Sequence, residues 1–248
     1  MIAHSGMWKI GYVTFYILRG ITISLDMDAR TAIVFGASGL IGRSLVKELC
    51  ASDDYSSVKL FVRKAGSVSG SDKIKEFVTD FEKLNTFADQ ITGDDLYIAL
   101  GTTIKKAGSV AKMEEIDRDL PVRIASLASA NRIPRIAVVS SIGADPLSRN
   151  YYLRIKGEME KSILALNFRC IAVVRPSLLL GQRGEKRFGE DISKMFMKVF
   201  QVFLTGKFRK YKAIEGRDVA RAMIRILADK TGKEIYESDK LQKLADIN

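Results

Sequence analysis

The run Thr31–Phe35 (TAIVF) is apolar almost throughout and ends in a glycine. It is followed by helical apolar spacing over Leu40–Leu49. Across their junction run Gly36, Gly39 and Gly42, a Gly-x-x-Gly-x-x-Gly pattern whose last glycine falls in the first turn of the helical stretch. A short continuous apolar run of this kind marks a strand covered on both faces, as in parallel sheets. Gly36 permits the tight turn out of the strand. Gly39 lets backbone approach a ligand, and Gly42 lets the helix press against the strand. The helix then presents free N–H groups and the positive end of its dipole to the loop. That is a seat for a pyrophosphate, and the chain is expected to bind a dinucleotide through it.

The alternation continues. Val58–Val62 reads as a second strand and Phe77–Val78 as a short third. Leu84–Ile91 reads as helical and Asp95–Leu100 as a fourth strand. Met113–Asn131 has Ile116, Leu120, Ile124, Leu127 and Ala128 on one helical face. Arg135–Val139 is a fifth strand, Tyr152–Leu166 a helix and Arg169–Val174 a sixth strand. Pro134, Pro146 and Pro176 fall at strand or loop edges, where proline is tolerated. The rhythm predicts an α/β, Rossmann-like doubly wound parallel sheet with helices on both faces. After Pro176 it changes, and residues 177–215 are expected to form a small substrate-side lobe, followed by a helix over Asp218–Ala228.

With 248 residues, one domain over 29–248 is expected, with 1–28 as an extension. Residues 7–25 are apolar but interrupted by Lys9 and Arg19. Their longest charge-free run, Ile10–Leu18, falls short of the roughly 20 residues a membrane-spanning helix needs. An added strand, a membrane-touching extension, and a working start at Met27 are the readings left open.

Composition removes several chemistries. The single histidine, His4, excludes His-based triads and His-based metal sites, and no metal is expected. Cys50 and Cys170 supply neither a disulfide framework nor zinc spacing, and point to a reducing compartment, expected to be the cytoplasm. The net charge of +11 is concentrated toward the C-terminal part, with Lys194, Lys198, Lys207, Arg209, Lys210 and Lys212 among its basic residues. A solvated face is the expected reading. Phe196, Phe200 and Phe203 beside Lys194 and Lys198 suggest an amphipathic stretch. It is expected to act as a lid, with membrane contact as the alternative. No nucleic-acid partner is expected, because no recognition motif accompanies the charge.

The second strand ends Leu60-Phe61-Val62-Arg63-Lys64. NAD sites place an acidic residue at this edge to hold the ribose. Two cations stand there instead, and a guanidinium suits a 2′-phosphate, so NADP(H) is expected. Asp80 and Phe81 follow the third strand, where adenine contacts fall.

Tyr152 and Lys156 form a Tyr-x-x-x-Lys pair, which on a helix shares one face. An ammonium one turn away favours a phenolate, so such a phenol can exchange a proton with a carbonyl or alcohol oxygen. The spacing also occurs at Tyr55/Lys59 and Tyr236/Lys240. Only Tyr152/Lys156 follows the fifth strand, whose end carries Ser140-Ser141, on the sheet edge where ligands bind.

Together these residues resemble the short-chain dehydrogenase/reductase superfamily in its extended and atypical branches. Leu100-Gly101-Thr102-Thr103, Lys106-Ala107-Gly108, Asp117-Arg118-Asp119, Ser140 to Asp145, Tyr152 to Glu158 and Arg175-Pro176 narrow it to the Tat-interacting-protein (CC3) subgroup. The resemblance covers about residues 29–230. It implies that Gly36, Ser38, Gly39, Leu40, Ile41 and Gly42 hold the pyrophosphate, with Arg63 and Lys64 at the 2′-phosphate. Asp80 and Phe81 would lie by the adenine, and Leu100, Gly101, Thr102 and Ser140 along the cofactor. Pro176 would flank the nicotinamide. Ser141, Tyr152 and Lys156 would be the catalytic set. The expected activity is NADPH-dependent reduction of a small-molecule carbonyl, or oxidation of an alcohol, by a monomer or homodimer. An NADP(H)-binding regulatory protein with little turnover is the alternative.

Overall fold

The computed structural model describes the backbone of residues 7–10, 13–18 and 21–26, and residues 29–66, 70–180 and 210–247 in full. Strands β1 (Met7–Ile10), β2 (Val13–Leu18) and β3 (Ile21–Asp26) pair antiparallel in a three-stranded meander. The added-strand reading of this segment is thus realised three times over.

The principal sheet has seven parallel strands. In chain order they are β4 (Arg30–Phe35), β5 (Tyr55–Val62), β6 (Ile74–Val78), β7 (Asp95–Ile98), β8 (Arg135–Val139), β9 (Cys170–Arg175) and β12 (Gly232–Glu237). Their spatial order is β12-β9-β8-β7-β4-β5-β6. The chain winds outward from β4 in one direction and then from β7 in the other. The β4/β7 boundary is therefore the topological switch point, where such sheets open a crevice at their carboxyl edge. A two-stranded pair, β10 (Leu179–Leu180) and β11 (Ile214–Glu215), lies outside it.

Strand parity divides the core. Ala32, Val34, Leu60, Ala137 and Ala172 face Leu45 and Leu49 of helix α1 (Leu40–Ala51) and Val219, Met223 and Ile226 of α6 (Gly216–Asp229). Ile33, Phe35, Leu96, Ile98, Ile136 and Val173 face the other layer. That layer holds Ile124 and Ala128 of α4 (Leu120–Ala130) and Met159 and Ile163 of α5 (Tyr151–Leu164). Phe35 stacks on Phe61 with centroids 4.7 Å apart, and Phe61 on Phe77 at 5.0 Å.

Three sequence expectations shift. Leu84–Ile91 becomes a 3₁₀ stretch over Phe81–Gln90, capped by the Asp80 carboxylate on Glu82 N. The single helix expected over Met113–Asn131 is α3 (Val110–Glu114), a π-helical turn (Glu115–Asp119) and α4, preceded by the one-turn α2 (Ile104–Ala107). Pro121 accounts for the wide turn. It has no N–H to give the carbonyl of Asp117, and its ring crowds that carbonyl. Finally, β12 and α7 (Ser238–Ala245) extend the fold beyond the expected last helix. Residues 192–209 of the amphipathic stretch and most of the 177–215 lobe lie outside the described residues.

Candidate active site

The carboxyl ends of the sheet strands carry nearly every residue singled out in the sequence. At the end of β4, Gly36 has φ +88°, and a Cβ there would stand 2.5 Å from the carbonyl oxygen of Ala99. The loops after β4 and β7 therefore touch, and a side chain at Gly36 would part them. A Cβ on Gly42 would stand 2.0 Å from Gly36 O, so this glycine sets how closely α1 approaches its strand. Gly39 is the N-cap of α1 and adds no side-chain cap, and the first turn carries no acid. Its N–H groups are left for an anion. Ser38, Leu40 and Ile41 complete this turn, with Ile41 buried against the core. This cradle, closed to side chains and bare of negative charge, fits a dinucleotide pyrophosphate.

Arg63 follows the end of β5, exposed and without a polar partner among the described residues, and Lys64 is exposed beside it. Asp80 uses its carboxylate as a helix cap, while Phe81 tilts against Phe35 with centroids 6.1 Å apart. Leu100 and Gly101 leave β7, and Thr102 N donates to Asp117 Oδ2 at 3.1 Å. Pro176 is buried after β9, and its carbonyl accepts from Ile142 N at 3.2 Å.

The serines after β8 separate. Ser140 is buried and donates to Glu160 Oε1. Glu160 also binds Arg175, whose Nε donates to Oε1 at 2.9 Å. That hydrogen bond, ahead of the cost of burial, raises the Arg175 pKa. Ser140 is thus committed to a buried structural cluster. Ser141 is half-buried, and among the described residues its hydroxyl makes only a 3.4 Å contact to Ile142 O. Ser141 is therefore the serine of the pair left to meet a ligand.

Helix α5 starts at Tyr151, capped by the Asn150 side chain on Leu153 N. Tyr151 donates to Glu114 Oε2 at 2.6 Å, which pushes its phenol up. The adjacent Tyr152 is half-buried, and its hydroxyl has no hydrogen-bond partner among the described residues. Lys156, one turn on, is 2% exposed, and its Nζ lies 2.8 Å from Oδ1 of Asp117, which is fully buried. The other two Tyr-x-x-x-Lys pairs are of a different kind. Tyr55 and Lys59 lie on β5, and Tyr236 lies on β12 with Lys240 on α7. Asp117 entered the sequence reading as part of a motif with no role of its own. Pro121, four residues later, was the signal that the helix opens beside it.

The fold and this carboxyl-edge site define an NAD(P)H-binding Rossmann protein. The chain belongs to the NAD(P)H-binding family, whose model matches residues 36–230, an oxidoreductase-like group. Within it the chain stands with the atypical short-chain dehydrogenase/reductases of the CC3 kind. Protein FMP52, mitochondrial, of Candida glabrata is 33% identical over 208 residues, covering 79% of this chain and 84% of the relative. Protein HTATIP2 of Rattus norvegicus is 35% identical over 173 residues, covering 68% and 71%. Two solved structures share the fold alone. The UDP-N-acetylglucosamine 4-epimerase from Methanobrevibacter ruminantium has TM-score 0.63 at 16% identity, covering 85% of this chain and 77% of its own. The oxidoreductase ylbE from Lactococcus lactis has TM-score 0.60 at 16% identity, covering 88% and 97%.

These relatives correct one expectation. The sequence reading put the chain in the cytoplasm, whereas the FMP52 proteins of Candida glabrata, Saccharomyces cerevisiae and Kluyveromyces lactis are named mitochondrial. Unpaired cysteines, here Cys50 and Cys170, show that no disulfide is required and carry no address among reducing compartments. Among the described residues no helix is long and apolar enough to cross a membrane.

Proposed function

We propose that the chain is an NADPH-dependent oxidoreductase that reduces a carbonyl, or oxidises an alcohol, on a small molecule. One observation carries the reading. Tyr152, with its hydroxyl uncommitted, stands one helical turn from Lys156, and Lys156 is tied through Asp117 to the Thr102 loop beside the glycine cradle.

The bound cofactor supplies hydride. The backbone from Gly36 to Gly42 holds its pyrophosphate, and Arg63, with Lys64 next to it, holds the 2′-phosphate that a carboxylate at this edge would repel. Tyr152 Oη gives its proton to the substrate oxygen as negative charge develops there. Ser141 Oγ donates to the same oxygen and fixes its orientation. Lys156, one turn from the phenol, holds the cofactor side of the site together through Asp117. In the alcohol direction each proton moves in reverse. The FMP52 names support a mitochondrial residence for this chain, which fractionation of tagged protein tests.

The test begins with parallel titrations of NADPH and NADH, followed by nicotinamide fluorescence. NADPH is expected to bind more tightly. A carbonyl panel then compares wild type with Tyr152→Phe. A lost general acid lowers turnover about 10²–10⁴-fold. A variant that turns over like wild type overturns the catalytic assignment. Tight NADPH binding without turnover on any carbonyl makes the chain a nucleotide-binding regulatory protein instead.

A further inference from the structure

We propose that Asp117 is a positioning residue that joins the Leu100–Thr102 loop and Lys156 in one buried unit, so that seating the cofactor and placing the lysine become a single event. This rests on the cofactor reading above and adds a residue to it.

The argument begins with the backbone. Pro121 cannot donate to the carbonyl of Asp117, and the helix widens into the π-helical turn Glu115–Asp119. Such turns are uncommon and often mark functional sites. Asp117 is brought inward, while Arg118 beside it turns to Glu114, Asp119 and Glu158 at the surface. With Asp117 fully buried and Lys156 2% exposed, neither charge is compensated by water.

The two carboxylate oxygens do different things. Oδ2 accepts from Thr102 N at 3.1 Å, which fixes the loop leaving β7. A Cβ on Gly101 would sit 3.4 Å from Oδ1, so the loop lies directly over the carboxylate. Oδ1 faces Lys156 Nζ at 2.8 Å, yet it accepts no hydrogen bond of good geometry. The lysine is held against the carboxylate as a buried ion pair.

A purely structural role is the weaker explanation. A buried ion pair gains little over a well-packed apolar pair and is poor evidence for stability by itself. Retaining one here, bonded on one side to a loop at the switch point and on the other to the lysine of the Tyr152 helix, is explained by what it positions.

A double-mutant cycle in the full chain tests this, with NADPH affinity and the emission of bound NADPH as readouts. Asp117→Asn keeps an acceptor for Thr102 N and removes only the charge. It is expected to weaken NADPH binding about tenfold when Lys156 is present, within the range of direct couplings, and to have no effect in the Lys156→Gln background. An unchanged affinity in Asp117→Asn overturns the proposal. So does an equal loss with and without Lys156, because Asp117 then acts through the loop alone. Should Asp117→Asn not fold, Lys156→Gln and the neutral double variant decide. Equal NADPH affinity supports the proposal, and a further loss in the double variant overturns it. Failure of the wild type to bind NADPH removes the cofactor reading and this inference together. Failure of the cycle in a wild type that binds NADPH removes only the inference.

Discussion

Gly157 lets helix α5 lie against the backbone of Pro146: a Cβ at this position would stand 2.2 Å from Pro146 N and 2.3 Å from Asp145 C. The contact fixes how the helix bearing Tyr152 and Lys156 meets the loop descending from Ser141. Glycine inside a helix costs about 1 kcal/mol relative to alanine, so relieving that cost favours Gly157→Ala. The clash opposes it, and both atoms are backbone that no rotamer change can move. The clash dominates. Gly157→Ala is expected to lose about 1–3 kcal/mol of stability, as overpacked cores do, measured by urea unfolding. A variant as stable as wild type would show that the loop moves freely.

At the opposite edge of the sheet lies a cluster that no single stretch of sequence reveals. Asp95 is fully buried and receives Arg30 Nη1 at 3.0 Å, Arg135 Nε and the Tyr55 hydroxyl at 2.6 Å. Tyr55 also bonds Tyr97 at 2.8 Å. Asp95→Asn keeps the shape and strips the charge, leaving the Arg135 guanidinium without the carboxylate it faces and Arg30 with only the exposed Asp54 at 3.4 Å. Removing one partner of a buried ionic group costs about 3–5 kcal/mol. Guanidinium unfolding should read a loss of that order, with NADPH affinity of the folded protein unchanged because the cofactor edge is distant. A loss under about 1 kcal/mol would mean that water repairs the site.

The contrast between these two sites explains what the sequence could disclose. Apolar runs such as Thr31–Phe35 and Arg135–Val139 announce buried strands because both faces must be covered. The glycine loop announces the cofactor edge because its demands are local. Asp95, Arg30 and Arg135 look like solvated strand ends, and only the register Asp95↔Arg135 and Ala32↔Asp95 unites them across a separation of 40 to 65 residues. The strand β12 is hidden for another reason. It lies at the sheet edge with Lys233 and Glu234 exposed, so it lacks the apolar run of its neighbours. Tyr152/Lys156 was separable from its two sequence look-alikes only by order along the chain. The division of labour between Ser140 and Ser141 rests on Glu160, twenty residues after Ser140, whose role no local pattern signals.

Burial, then the nearby charge of Asp95, pushes the Tyr55 phenol well above its ordinary value near 10, and burial raises that of Tyr97 likewise. The folded state therefore prefers the protonated phenols. Their contribution to stability is full below pH ~10 and is lost as pH rises beyond it, because the unfolded chain then releases protons the folded chain keeps. Each such tyrosine adds a slope of up to about 1.4 kcal/mol per pH unit. Denaturant unfolding between pH 9 and about 11 should show this decline. Tyr97→Phe should flatten it while leaving Tyr55 bonded to Asp95. An unchanged slope would remove Tyr97 from the linkage.

Arg63 provides the most direct test of cofactor choice. It stands exposed after β5, with no polar partner among the described residues to lose, so Arg63→Ala should leave stability within about 0.5 kcal/mol. Its effect should instead fall on one ligand. A charge-assisted contact to a 2′-phosphate supports about ten- to a hundredfold in affinity, and NADH has no such group. Parallel titrations should therefore find NADPH binding weakened by that factor and NADH binding unchanged. An equal loss for both nucleotides would place Arg63 on a part they share. No loss for either would shift recognition of the 2′-phosphate to another cation, and Lys64 is the first to replace.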